Sequence, residues 1–176
     1  MLEMGAVGKP LWASVTVGQF TNKPLYLRDG VVLNYSHEID LAFFLLGPAK
    51  LSCSSVHLSS QDNKDDIADI VLTHNNGARS TIHLDYVTRP KIRATTIIGD
   101  NGQLIIDLVS NWICLVDLNG KKTDMTLKGT WDEVYVEEMK SFLDHIEGKE
   151  TLGASGEDGL RALEICFEVR KLASLI

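Results

Sequence analysis

The chain has 176 residues, 44% of them hydrophobic and 23% charged, with a formal net charge of -7, which is the makeup of one globular domain and not of a disordered chain. Its basic residues are scattered, so a surface that tracks phosphates, and nucleic acid as a partner, is not expected. The longest apolar runs, such as Leu41 to Leu46, fall far short of the roughly 20 residues a bilayer needs, and Met1 to Pro10 lacks the pattern of a signal peptide, so a cytoplasmic protein with no membrane partner is expected.

Leu11 to Val17 alternates Leu11, Ala13, Val15, Val17 against Trp12, Ser14, Thr16, the period of two of a half-buried strand. Gly18 to Gly30 then reads as a loop. From Ser36 to Leu46 the pattern becomes that of a short, mostly buried helix, with Ser36 as N-cap, Glu38 suited to the positive helix end, and Gly47-Pro48 as the stop. Between Ala49 and Leu127, β-branched runs predict strands at Leu51–Leu58, Ile67–Thr73, Arg79–Val87, Ile92–Ile98, Gln103–Leu108, Trp112–Leu118 and Thr123–Leu127. The Asn75-Asn76-Gly77, Asp100-Asn101-Gly102 and Asn119-Gly120 turns between them favour hairpins, and therefore an antiparallel meander. Val136, Met139, Leu143 and Ile146 mark a helix ended by Gly148, and a last helix is expected from about Glu157 to Leu175, with Leu160, Leu163, Phe167 and Arg170 along one stripe.

Segregated strands and helices predict an α+β fold: a single domain, residues 1–176, with a predominantly antiparallel open sheet covered by helices on one face. The other face is expected to meet a partner subunit, because Trp12 and Tyr86 point to a surface that is not wholly polar. Cys53, Cys114 and Cys166 are odd in number and far apart, which suits reduced structural thiols.

For chemistry, the informative stretch is Val31 to Asp40. His37 and Asp40 lie three apart on the first turns of a helix, so both project from one face. An imidazole in the positive field of a helix N-terminus is favoured in its neutral form, the form a general base needs. The same two residues also fit a second reading, a capping histidine and a surface aspartate. Arg89 and Arg93 are candidates for binding a carboxylate or phosphate through paired hydrogen bonds, with solvated strand-end arginines as the alternative. His57, His74, His83 and His145 share no ligand spacing, so no metal is expected. The run Asp62-Asn63-Lys64-Asp65-Asp66 lacks the glycine and terminal glutamate of a calcium loop and reads as a solvated turn.

Gly30-Val31-Val32-Leu33-Asn34-Tyr35-Ser36-His37-Glu38-Ile39-Asp40 resembles the Gly-Gly-Gly-Val-Leu-Leu-Asp-Leu-Ser-His-Glu-Ile-Asp run of Gfo/Idh/MocA oxidoreductases. Gly5 to Pro10 is similar to the lead-in to that family's second domain. Tyr86 to Pro90, Ile97 to Gly102 with Asp107, and Tyr135 to Gly148 followed by Gly156 to Glu164 resemble later family segments in the same order.

The resemblance implies the C-terminal, substrate-binding and oligomerising half of an NAD(P)-dependent sugar oxidoreductase, with residues 1–10 leading in from a dinucleotide-binding domain. It implies that the sugar or sugar acid binds between the two halves and that the sheet face makes a homo-oligomer. His37 would exchange a proton with a substrate hydroxyl, and Asp40 would orient it or contact the sugar. No glycine-rich dinucleotide turn occurs in the sequence, so the chain is expected to bind no cofactor and to be inactive alone; a free-standing sugar-binding or scaffolding module is the alternative. Three departures matter. Asn34 stands where Asp is usual, which replaces a carboxylate beside His37 with a neutral amide. Only Gly30 of three usual glycines is present, and the 18–30 loop is short for the family.

Overall fold

The computed structural model describes residues 5–21, 29–59, 63–149, 151 and 153–174, and the segment 22–28, most of the short loop, lies outside them. In chain order come β1 (Pro10–Gly18), α1 (Val31–Asn34), α2 (Ser36–Leu46), β2 (Ala49–Leu58), β3 (Asp65–His74), β4 (Arg79–Asp85) and β5 (Ile92–Gly99). There follow β6 (Gly102–Asp107), β7 (Trp112–Asp117), β8 (Lys122–Thr126), α3 (Trp131–Ile146) and α4 (Gly156–Leu172). The strands form one 8-stranded sheet in the order β2-β3-β4-β1-β5-β6-β7-β8.

The sheet is mostly antiparallel, as the turn chemistry predicts, but it is not a simple meander. β1 is inserted between β4 and β5 and runs parallel to β4, with Val15 beside Ile82. The hairpin signals are local and describe only neighbours in sequence; β1 instead pairs along both of its edges, with β4 on one side and β5 on the other.

Along β1 the residues Ala13, Val15 and Val17 are buried; Val15 and Val17 join Ile70, Leu72, Ile82 and Leu84 from β3 and β4 in the main core, and Ala13 joins Leu46, Ile97 and Leu104 in a second cluster. α2 contributes Ile39, Ala42 and Leu46, spaced by three and four, and it ends where Gly47 adopts φ 83 ahead of Pro48. α4 starts on a capping box in which Ser155 and Asp158 satisfy each other's backbone N–H groups, and it buries Ala162, Ile165, Cys166 and Val169. Each large aliphatic side chain enclosed here contributes about 2 kcal/mol.

Four expectations change. Ser36 is not a cap: α2 follows directly on the short α1, with Tyr35 between them and no side-chain cap bond at that junction. Tyr86 is buried in the helix-side core against Tyr35, not on the open face. Leu160, Leu163 and Phe167 do form a stripe on α4, but the stripe is exposed, because the buried face is one residue out of phase with it. Asp65 is not part of a solvated turn; it is fully enclosed under α1, for a reason given below.

The cysteines are free, with Cys114 and Cys166 buried and Cys53 exposed. Buried His74 joins Gly47 and Ser80, its Nδ1 2.7 Å from the Gly47 carbonyl oxygen and its Nε2 3.0 Å from the Ser80 hydroxyl. Burial lowers the pKa of His74, against the opposing pull of the Gly47 bond. Among the described residues, no helix is long and apolar enough to cross a membrane.

Candidate functional site

The site starts where the chain enters α1. Gly30 has φ 91, a conformation that an L side chain rarely adopts, and a Cβ there would overlap the Asp65 carboxylate. Asp65 uses Oδ2 to accept the Val32 N–H at 2.7 Å, satisfying one of the orphan donors at the helix start. Its other oxygen faces the Arg170 guanidinium from α4, with Nε at 3.8 Å. The Tyr86 hydroxyl donates to the Gly30 carbonyl at 3.3 Å. The Cys166 thiol donates to the Val32 carbonyl at 3.3 Å, and burial pushes its pKa up to about 12, so this thiol is a structural donor and not a nucleophile. Four side chains, Asp65 from β3, Cys166 and Arg170 from α4 and Tyr86 just after β4, thus set the angle at which the chain turns into α2.

The first turn of α2 then divides its side chains. Ile39 enters the core, His37 is half exposed with 52% of its side chain accessible, and Glu38 is buried with 1% accessible. Glu38 Oε1 lies 2.8 Å from Arg93 Nε on β5 and 3.3 Å from His37 Nε2. The Arg93 N–H is not aligned with that oxygen, so the two are in ionic contact while neither atom has a well-directed hydrogen bond. Tyr35 packs its ring against those of His37 and Tyr86, with centroids 5.9 and 5.7 Å away. Its phenol pKa is raised by burial first, then by the Asp85 and Glu38 carboxylates.

Next to this cluster is a cavity of about 420 Å³, lined by His37, Asp40 and Phe44 from α2, Arg93 from β5, and Asp158 and Arg161 from the start of α4. The volume is that of a small-ligand pocket. Burial raises the pKa of Asp40, with Asp158 adding to the shift and Arg161 and His37 opposing it. The Asp158 carboxyl is held low by the hydrogen bonds it accepts from Ser155. Polar groups of both charge signs therefore converge on an otherwise apolar pocket, an arrangement suited to a hydroxyl-rich ligand.

Of the residues singled out in the sequence, His37, Asp40 and Arg93 meet at this cavity. Asn34 is exposed at the end of α1 and is not part of the cavity wall. Arg89 is also elsewhere, its guanidinium stacked 3.3 Å over the centre of the Phe20 ring. Sequence reading missed Glu38, taken only as a helix-dipole residue, and it missed Asp158 and Arg161. The Ser155 capping box, Ser-x-x-Asp, was a usable signal for the last two, since it places both on the first turns of α4.

The lead-in segment is tied to the Ile97 to Gly102 segment. Lys9 N–H donates to the Asp100 carboxylate at 2.7 Å, Asn101 N–H donates to the Val7 carbonyl at 3.0 Å, and Gly8 leaves no room for a Cβ against Asp100. Residues 1–105 match the family description GFO/IDH/MocA C-terminal domain. The chain belongs to the Gfo/Idh/MocA family. Over 97% of its length it is 27% identical to myo-inositol 2-dehydrogenase of Thermotoga maritima, of which it covers 55%. The structure of UDP-N-acetylglucosamine 3-dehydrogenase from Acidithiobacillus ferrooxidans superposes with a TM-score of 0.82 at 22% identity, over 97% of this chain and 55% of that one. An oxidoreductase from Agrobacterium radiobacter, solved in complex with NAD+, L-tartaric acid and magnesium, gives a TM-score of 0.79 at 23% identity, over 97% of this chain and 57% of that one. This Gfo/Idh/MocA chain thus spans about half the length of these relatives.

Proposed function

We propose that this chain is the substrate-binding and oligomerising domain of a Gfo/Idh/MocA-type sugar oxidoreductase, and that the cavity beside α2 receives the sugar or sugar acid. The observation that carries the reading is the convergence of His37, Asp40 and Arg93 on one cavity from two separate elements. His37 is the group that takes a proton from a substrate hydroxyl. Asp40 accepts a hydrogen bond from a neighbouring hydroxyl, and Arg93 offers its fork to an oxygen-rich edge of the ligand. Asn34 standing in place of the usual Asp favours a second reading, a sugar-binding module without catalysis.

A nicotinamide cofactor supplies the redox chemistry in the family, and the described residues of this chain do not fit it. Their single parallel pair, β1 with β4, is connected through α1, α2, β2 and β3, and no glycine-rich turn leads from a strand into a helix N-terminus. The cofactor on this reading is held by another domain. Calorimetric titration is expected to show binding of myo-inositol or L-tartrate but none of NAD or NADP. His37→Ala should weaken the sugar or acid binding at least tenfold while changing stability by under about 0.5 kcal/mol, because the side chain is half exposed. Micromolar NAD binding by the chain alone, or a His37→Ala variant that unfolds early with ligand affinity intact, would count against the proposal.

Helices α1, α2 and α4 all pack on one face of the sheet, leaving Trp12, Ser14, Thr16, Thr81, Thr96 and Ile98 on the other. A face of small polar side chains with Trp12 and Ile98 among them is suited to stacking on a second copy. Light scattering at tens of micromolar protein should therefore give a multiple of the 19.4 kDa chain mass. A monomer at that concentration would remove the oligomerising part of the reading.

A further inference from the structure

We propose that the buried carboxylate of Glu38 is the positioning group of this site, holding the His37 imidazole through Nε2 so that Nδ1 is the ring nitrogen left to take a proton, while Arg93 shares and tempers the same negative charge. The proposal rests on the reading of His37 as the proton-handling residue. A glutamate that served only the helix dipole would sit in water, where such residues act at small cost. Glu38 is instead 99% enclosed, although removing a carboxylate from water costs several kcal/mol unless partners repay it. Its partners are His37 at 3.3 Å and Arg93 at 2.8 Å, both at the same oxygen, Oε1, and both residues line the cavity.

Neither the Arg93 nor the His37 N–H is directed at Oε1, so both contacts are ionic; the lone pairs of Oε1 stay open, and a rotation of the exposed imidazole would bring its Nε2–H onto that oxygen. A carboxylate that orients an imidazole selects its tautomer and favours its protonated form; a guanidinium on the same oxygen opposes the second effect. Other charges face His37 as well. Asp40 lies on its own helix, Asp158 and Arg161 line the same cavity from α4, and the charge of Asp85 acts on the Tyr35 ring that packs on the imidazole. Of all these, Glu38 is the one in contact with the ring nitrogen, which makes its removal separable from the rest.

The test is nuclear magnetic resonance of the histidine rings, with the His37 signals identified by their loss in His37→Gln. The intact chain should show His37 as the Nε2–H tautomer at pH 8. Glu38→Gln, which keeps the shape of the side chain, should lower the His37 titration midpoint by about 0.5–1 pH unit, and Arg93→Gln should raise it by a similar amount. The tautomer sets this apart from a purely structural ion pair: charges this close move the midpoint whatever their role, whereas only a carboxylate that accepts from Nε2 fixes the proton on that nitrogen. An Nδ1–H tautomer in the intact chain overturns the proposal even if both variants fail to fold; so does a midpoint unmoved in both. No sugar enters these measurements, so an empty cavity in the calorimetry and a failed positioning role are told apart.

Discussion

Gly30→Ala should be among the most destabilising single substitutions in the chain, lowering the unfolding free energy by about 3 kcal/mol or more. Two costs combine at this position. The backbone conformation at φ 91 is strained for any residue with a Cβ, and that Cβ would displace the Asp65 carboxylate. Moving Asp65 strands the Val32 N–H at the start of α1 and leaves the Arg170 guanidinium without its counter-charge. Asp65→Ala reaches the same end from the other side and is expected to cost about 3–5 kcal/mol, the range for breaking one member of a buried pair. Domains of this kind have only about 5–15 kcal/mol in total, so either variant should unfold in much less urea than the parent. Gly77→Ala is the control, since Gly77 has φ 86 but open space where its Cβ would go. It should show the backbone cost alone, about 1–2 kcal/mol. If urea melts of Gly30→Ala and Gly77→Ala coincide, the clash with Asp65 has been overstated.

This junction also shows how far the sequence could be read. The strands were legible because each alternates, or is rich in β-branched residues, between turns with specific backbone needs; the β5–β6 turn at Asp100-Asn101-Gly102 lies where its residues predict. The parallel placement of β1 against β4 was not legible, because no local pattern encodes which distant strand a mid-sheet strand will meet. The candidate site was legible where it is local: His37 and Asp40 share a helix face by spacing alone, and they share a cavity. Asp65 and Glu38 were misread for one reason. An acidic residue next to other charges is ordinarily solvated, and the counter-charges that let these two be buried, Arg170 and Arg93, are far along the chain. Similarly, Leu160, Leu163 and Phe167 on α4, and Val136, Met139, Leu143 and Ile146 on α3, have helical spacing yet are exposed. Periodicity shows that a face is apolar; it does not say which face the rest of the chain covers.

Asp85→Asn carries the second large effect, and its size should depend on pH. The Asp85 carboxylate is buried at the end of β4, where Oδ1 accepts the N–H groups of Val87 and Thr88 at 2.7 and 2.6 Å, and Oδ2 accepts the Thr88 hydroxyl at 2.7 Å. His83 Nε2 stands 3.2 Å from Oδ2. Burial pushes the pKa of Asp85 up, but the bonds from Thr88, Val87 and His83 outweigh it, so the folded value lies below the ordinary 3.8. A folded pKa that is depressed means that the ionised form is worth more in the folded state than in the unfolded one. The contribution to stability is thus fully present above about pH 4 and is lost as the pH falls through the folded value. Asparagine has the same shape but presents an NH2 group toward donors, so Asp85→Asn should cost about 2–4 kcal/mol at pH 7. The gap between variant and parent should narrow as the pH falls from about 4 through the folded value, below which the parent carboxylate is also neutral. The effect reaches the candidate site through the chain itself: the turn that Asp85 holds leads into β5, which carries Arg93 to Glu38. Urea unfolding of both proteins at pH 7, pH 5 and a series of steps below pH 4 measures the gap; one that stays constant down to the lowest pH at which the parent still folds would mean that Asp85 works through its shape and not through its charge.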